Sequence, residues 1–202
     1  MSTANVKPYE IIAGPADIYF APVGSPFPDL VDTYTPGAGF NGAGSGFWTK
    51  VGYTEGGVKV GHPQTVVELR ADQVTAPIKA IRSEEGLEIS FSIATMSLEN
   101  YALALNQAAT GPVVGVGQKD VKLYRGGSGV EMIALLARND HLSPEGDFPL
   151  QYQVPSCFNT GAPEVDYVKD NKAVLAVSFH AIADPDRTDD SLAFGKLRVG
   201  TP

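Results

Sequence analysis

Short strand-like runs recur along this chain, and hydrophobic and polar residues can alternate in them with a period of two, the pattern of a strand that buries one face and wets the other. The clearest case is Leu87 to Ala94, where Leu87, Ile89, Phe91 and Ile93 alternate with Glu88, Ser90 and Ser92. A first strand is predicted over Asp17–Ala21, entered through Gly14-Pro15 and stopped by Pro22. Trp48–Tyr53 and Val58–Val60 flank Glu55-Gly56-Gly57, which has the composition of a hairpin turn. Gln64–Arg70 and Pro77–Arg82 read as strands, as do Lys119–Arg125, Phe148–Phe158 and Lys172–Ala183. Val130–Arg138 is apolar on both faces, which fits a central strand or a second short helix; the turn-like Gly126-Gly127-Ser128-Gly129 before it favours the strand. One short helix is predicted from Leu98 to Asn106, N-capped by Ser97, with Glu99 in its first turn and Thr110-Gly111-Pro112 beyond it. Lys196–Val199 reads as an arm or an edge strand.

Between these elements lies one long irregular stretch, residues 22–47, which holds Pro22, Pro26, Pro28, Pro36 and a tract of Gly and Ala. A structureless loop of that length is unusual in a compact domain, so it is expected to be mobile or to be ordered by a partner. The pattern expected is mainly β with one short α-helix, that long loop and terminal arms at 1–14 and 184–202, all in a single domain 1–202. The 22 glycines and 15 prolines, set against only 19% charged residues, agree with many turns and argue against a helical bundle.

Charge and motifs narrow the function. Fifteen basic against 23 acidic residues leave −8, with no basic run, so nucleic-acid binding as a primary role is disfavoured. The lone Cys157 excludes an internally disulfide-stapled module. The amino-terminal segment has no apolar run of signal-peptide length, and nowhere do about 18 consecutive apolar residues occur, so a soluble, unexported protein without a membrane role is expected. Gly37-Ala-Gly39-Phe-Asn-Gly42 matches a dinucleotide fingerprint in letters, but neither a strand before it nor a helix after it is predicted. His62, His141 and His180 are scattered without metal-ligand spacing. The acidic run Asp184–Asp190 departs from a calcium loop, with Asp189 at the sixth place and Gly195 at the twelfth, and reads as a solvated turn. No nucleophile, acid pair, metal site or cofactor site is legible, and no enzyme is expected.

The succession of segments, more than any single one, resembles the major tail tube proteins of long-tailed (siphovirus-type) bacteriophages. It runs from Gly14-Pro-Ala-Asp-Ile-Tyr-Phe-Ala-Pro-Val-Gly-Ser-Pro26 through the Pro/Gly loop to Trp48-Thr-Lys-Val-Gly-Tyr-Thr-Glu-Gly-Gly-Val58. It continues with Ile81-Arg-Ser-Glu-Glu-Gly-Leu-Glu-Ile-Ser-Phe-Ser-Ile93 and the short helix, and covers roughly residues 14–183. The resemblance implies a β-sandwich or barrel with one short flanking α-helix, in a virion protein of the phage tail assembled in the host cytoplasm. Six copies would form a ring whose inner strands join into a continuous β-barrel, and rings would stack into a hollow tube for DNA delivery. Its implied partners are further copies of itself, tail tip and tail terminator proteins, and the tape measure protein and DNA passing through the lumen without specific binding.

An acidic wall would repel DNA, and the polar strand positions Gln64, Glu68, Lys79 and Glu88, with Asp72 at a strand end, are the candidate lumen-lining residues. Phe40, Phe47 and Trp48 are the candidate anchors between subunits or rings, and Trp48 fits the core equally well. Two alternatives stand beside this reading. One is a tube protein of a contractile tail or type VI secretion system. The other is a stand-alone β-sandwich module binding a sugar or receptor through loop aromatics such as Tyr34, Phe40 and Phe47.

Overall fold

The computed structural model describes residues 14–42, 44, 46–72, 74–108, 112–123, 129–141, 144, 147–165, 167, 169–183 and 193–201. In chain order the elements are β1 (Asp17–Pro22), β2 (Tyr34–Thr35), β3 (Gly39–Phe40), β4 (Thr49–Lys50), β5 (Thr54–Gly61), β6 (Gln64–Ala71), β7 (Val74–Glu85) and β8 (Glu88–Ile93). There follow α1 (Leu98–Ala104), β9 (Val113–Gly115), β10 (Gln118–Asp120), β11 (Ile133–Asn139), β12 (Leu150–Asn159), β13 (Leu175–Ala181) and β14 (Lys196–Val199). The protein is mainly β with one short helix, and every strand pair is antiparallel.

The main sheet runs β4-β1-β11-β12-β13-β8-β5, with β14 also on β12. β12 holds it together because its two halves face different neighbours. Leu150–Gln153 pair with β14, Cys157–Asn159 pair with β13, and β11 lies along the other edge. The sheet wraps one core in which Ile89, Phe91 and Ile93 of β8 and Leu175, Val177 and Phe179 of β13 meet Ile18, Leu135 and Val154. Their period-2 spacing sends Ser90, Ser92 and Ser178 to the outer face. Leu103 and Ala104 of α1 join the same core. Ser97 caps that helix, its Oγ accepting from the Asn100 N–H at 3.1 Å, as its sequence position predicts. Asn100 Nδ2 in turn donates to the carbonyls of Val51 and Thr95, at 2.8 and 2.7 Å.

β11 is a strand, and its two apolar faces have a structural reason. Ile133, Leu135 and Ala137 face the main core, while Ala134 and Leu136 face a second cluster with Tyr19, Ala21, Phe40 and Trp48. That second cluster is closed by the long loop 22–47, which folds back over β1 and β11. Tyr19, Tyr34 and Phe40 stack with ring centroids 4.9–5.4 Å apart, and Phe27 lies 5.1 Å from Trp48. Such pairs contribute ~0.5–1.5 kcal/mol each beyond the area they bury. Trp48 Nε1 donates to the Pro26 carbonyl at 2.9 Å. Burial, and then the Asp17 carboxylate, push the Tyr19 hydroxyl well above its ordinary range, so it stays protonated.

Arg138 fastens the same loop. It is 5% exposed, pairs with Asp140, and donates to the carbonyls of Asp29, Leu30 and Asp32 at 3.2, 2.8 and 2.8 Å. The described part of the loop is thus ordered by its own chain, where the sequence predicted mobility or a partner. Its glycines serve close packing: Gly39 has φ +77°, and a Cβ there would lie 2.6 Å from the Gly46 carbonyl oxygen.

Other differences are local. Glu55-Gly56-Gly57 is a bulge inside β5 instead of a hairpin turn, because Gly56 and Gly57 both take positive φ and let the strand continue with a shifted register. The strand predicted over Lys119–Arg125 is only the end of the small hairpin β9–β10, and residues 124–125 lie outside the described residues. So do residues 1–13 and the acidic run 184–190. β14 is a paired edge strand.

Two substitutions test this account of the loop. Arg138→Met, which removes a charged donor from several carbonyls at once, is expected to cost about 2–4 kcal/mol in denaturant unfolding and to open 29–32 to protease. Gly39→Ala is expected to cost about 1–3 kcal/mol by the same measurement, from strain at positive φ together with the backbone contact.

Candidate functional site

β5 runs on into β6 through His62-Pro63, and β7 runs on into β8 through Gly86-Leu87, so residues 54–93 form one long antiparallel ribbon. Its first half belongs to the main sheet, with Thr54 opposite Ile93 and Gly61 opposite Glu88. Its second half, β6–β7, pairs with no other strand among the described residues. The elbow between the halves is tight. The Gly86 N–H donates to the Pro63 carbonyl at 2.9 Å, and a Cβ on Gly86 would lie 3.2 Å from His180 Cε1 and 3.3 Å from Pro63 Cγ.

The projecting half is wet on both sides, and every residue of β7 is exposed. Yet it is not polar. Val66, Val67, Leu69, Val74, Ile78 and Ile81 are between 41 and 61% exposed. Register places Val67 opposite Ile81 and Leu69 opposite Lys79 on one face; Val66 lies opposite Arg82, and Glu68 opposite Ala80, on the other. Ion pairs on the ribbon link Arg70 to Glu68 at 3.1 Å and Arg82 to Glu85 at 3.0 Å. A lone two-stranded hairpin is marginal in water, and these valines, leucines and isoleucines have no cover within the subunit. The outer edge of β5, continued along β6, is also unpaired among the described residues, from Thr54 to Ala71. Unpaired strand edges are templates for another chain.

The five candidate lining residues do not share one surface. Gln64 and Glu68 lie on the β6–β7 ribbon, Lys79 lies on its opposite face, and Asp72 lies in the turn at its tip. Glu88 stands apart, on the outer face of the main sheet, where Ser178 Oγ donates to its Oε1. Around it that face carries Ser90, Ser92, Ala176 and Ser178 in register, together with Lys59 and a Glu55–Lys172 ion pair of 3.2 Å. The sequence singled out Glu88 by its alternation but gave no sign that the neighbouring hairpin leaves the sheet.

Among the aromatic candidates, Phe40 and Trp48 are 4% and 2% exposed and pack inside their own subunit, while Phe47 is 66% exposed. Tyr34 is half-buried and packs against the same inner cluster, so of the loop aromatics Tyr34, Phe40 and Phe47 it is Phe47 that stands exposed. Sequence reading missed a second small hairpin, β9–β10, whose Val113, Val114 and Val116 are exposed. Lys119 ties it to α1 by an ion pair to Glu99 at 2.9 Å. That Lys119 bond, with help from the helix backbone, holds the Glu99 carboxyl below its usual range. Among the described residues no three His, Cys, Asp or Glu side chains are placed to hold a metal ion, and no helix is long and apolar enough to cross a membrane. Burial pushes the Cys157 thiol far up, so it is protonated and unreactive at neutral pH.

No family model and no curated protein matches this chain. Among solved structures it is similar to a chain in the 6-fold symmetrised cryo-EM structure of the anti-feeding prophage baseplate, at 7% identity and a TM-score of 0.42. That match covers 100% of this chain and 98% of the other. It is also similar to a crystal structure of an Hcp protein, at 12% identity and a TM-score of 0.29, over 84% of this chain and 89% of the other.

The Glu99–Lys119 tether gives a pH prediction. A carboxyl lowered in the folded state stabilises above its unfolded range and loses that contribution as pH falls through the folded value. Glu99→Gln is therefore expected to lower stability by under about 1 kcal/mol at pH 7, as for other exposed pairs. By acid pH, where Glu99 is protonated in both states, the difference between variant and parent should vanish in thermal melts.

Proposed function

We propose that this protein is a structural subunit that polymerises with itself: a ring-forming tube protein of a phage tail, with the long non-contractile tail as the first reading and a contractile or type VI secretion tube as the second. The observation that carries this is the ribbon 54–93, which presents an unpaired edge and uncovered apolar residues on a chain of net charge −8. A closed ring turns such an edge to use, because each copy's edge strand pairs with its neighbour's and none is left free.

The resemblance supplies the remaining details: six copies per ring, stacking into a hollow tube, contacts with tip, terminator and tape measure proteins, and DNA passing through. In that tube the channel wall is the outer face of β5, β8 and β13, and Glu88 stays on it. Gln64, Glu68, Asp72 and Lys79 move to the projecting arm, where they meet other subunits. Phe47 is the loop aromatic left to contact a neighbour. On the wall, Glu55 and Glu88 balance Lys59 and Lys172, and serines and alanine fill the space between. Such a surface offers phosphates no cationic excess to release counterions.

Negative-stain electron microscopy and sedimentation across a concentration series test the proposal. Stacked rings or tubes are expected for the wild type, and monomers for Val67→Lys combined with Ile81→Lys, whose melting temperature should stay near the parent's. A chain that stays monomeric at every concentration, with and without added tail-tip complex, would defeat it.

A further inference from the structure

A groove of about 510 Å³ opens beside the root of the arm. Leu87, Tyr152, Val154, Phe194 and Leu197 line it, and Glu85 and Lys196 stand at its rim. Leu197 is 49% exposed, so the groove is an open apolar surface and not a sealed core cavity. It lies on the side of β12 that carries Tyr152 and Val154, the side facing the main core.

We infer that this groove receives the Val67–Leu69–Ile81 face of the arm of a second copy of this chain. The inference rests on the self-assembly reading above and names the surface that the arm covers. The arm's own groove is out of its reach, because Glu85 and Gly86 belong both to the groove's lining and to the arm's root. Folding back would break the Gly86–Pro63 hydrogen bond that holds the elbow. A second copy's arm has no such restriction.

Charge fits the same occupant. The face in question carries Lys79 towards its tip and Glu84 near its root, where Thr65 Oγ1 donates to Glu84 at 3.2 Å. In the groove Glu85 is paired with Arg82 of its own chain at 3.0 Å, so Lys196 is the charge it offers, opposite in sign to the incoming arm's Glu84.

Area decides how the contact must extend. The eight residues of β6, with the strand paired to them, make a face roughly 26 Å long and about 10 Å wide, about 260 Å², on the usual strand rise and spacing. A stable interface needs about 800 Å² from each partner. The arm face alone falls short, but the groove lies at the elbow, midway along the unpaired edge from Thr54 to Ala71, so edge pairing and groove filling add in one contact. Arm and groove are different surfaces of one chain, which makes the contact heterologous: every copy both gives an arm and receives one.

Disulfide trapping tests this. Native Cys157 is 1% exposed and stays silent. The double variant Val67→Cys with Leu197→Cys, oxidised after assembly, is expected to give a ladder of covalent oligomers that reduction removes. Ile78→Cys with Leu197→Cys uses the opposite face of the same arm and is expected to give none. Tubes that assemble normally yet show no Val67→Cys/Leu197→Cys ladder, or an equal ladder from both pairs, would overturn the groove assignment while leaving self-assembly intact. Absence of any assembly at every concentration would remove both.

Discussion

Every backbone amide and carbonyl taken out of water needs a partner, and in this protein the burden falls on β12. By pairing with β11 along one edge and with β14 and β13 in succession along the other, it lets one sheet curl around one core. That arrangement uses up the interior of the sheet and leaves its last strand, β5, with nothing beyond it. The ribbon then leaves the sheet altogether. Beyond the sheet, apolar residues stand uncovered on both faces of β6–β7.

The distribution of glycine, arginine and aromatics separates what is rigid from what is available. Arg138 and the cluster of Tyr19, Tyr34, Phe40 and Trp48 hold the long loop against β1 and β11, so a segment that looks unstructured in composition becomes a second layer of the subunit. Gly86 plays the opposite part. Its missing side chain lets Pro63 and His180 close in, which fixes the direction in which the arm leaves.

Much of the fold was legible from local pattern. Period-2 alternation located β8, β12 and β13, the Ser97 cap located α1, and the doubly apolar run 130–138 located the strand that is buried on both faces. What sequence could not show is where pairing stops. Gln64–Arg70 and Pro77–Arg82 read as strands like the rest, and nothing in their letters says that they pair only with each other. The same blindness scattered the lining candidates, since Glu68 and Glu88 look alike until the elbow separates them. Phe40 and Trp48 looked like interface anchors because the residues that enclose them, Tyr19 and Leu136, are far away in sequence.

Sequence distance has one more consequence. Arg138 grips carbonyls more than a hundred residues earlier, and β1 waits for β11, so the body of the subunit is assembled from distant parts of the chain. The ribbon needs only the forty residues from Thr54 to Ile93. Non-local contacts form slowly and local ones quickly. During synthesis the arm is therefore expected to take shape while β11, β12 and the loop they anchor are still being made. For that interval the nascent chain exposes the apolar residues of β6–β7 before the body that carries them is complete, the condition in which a chain is most open to misassembly.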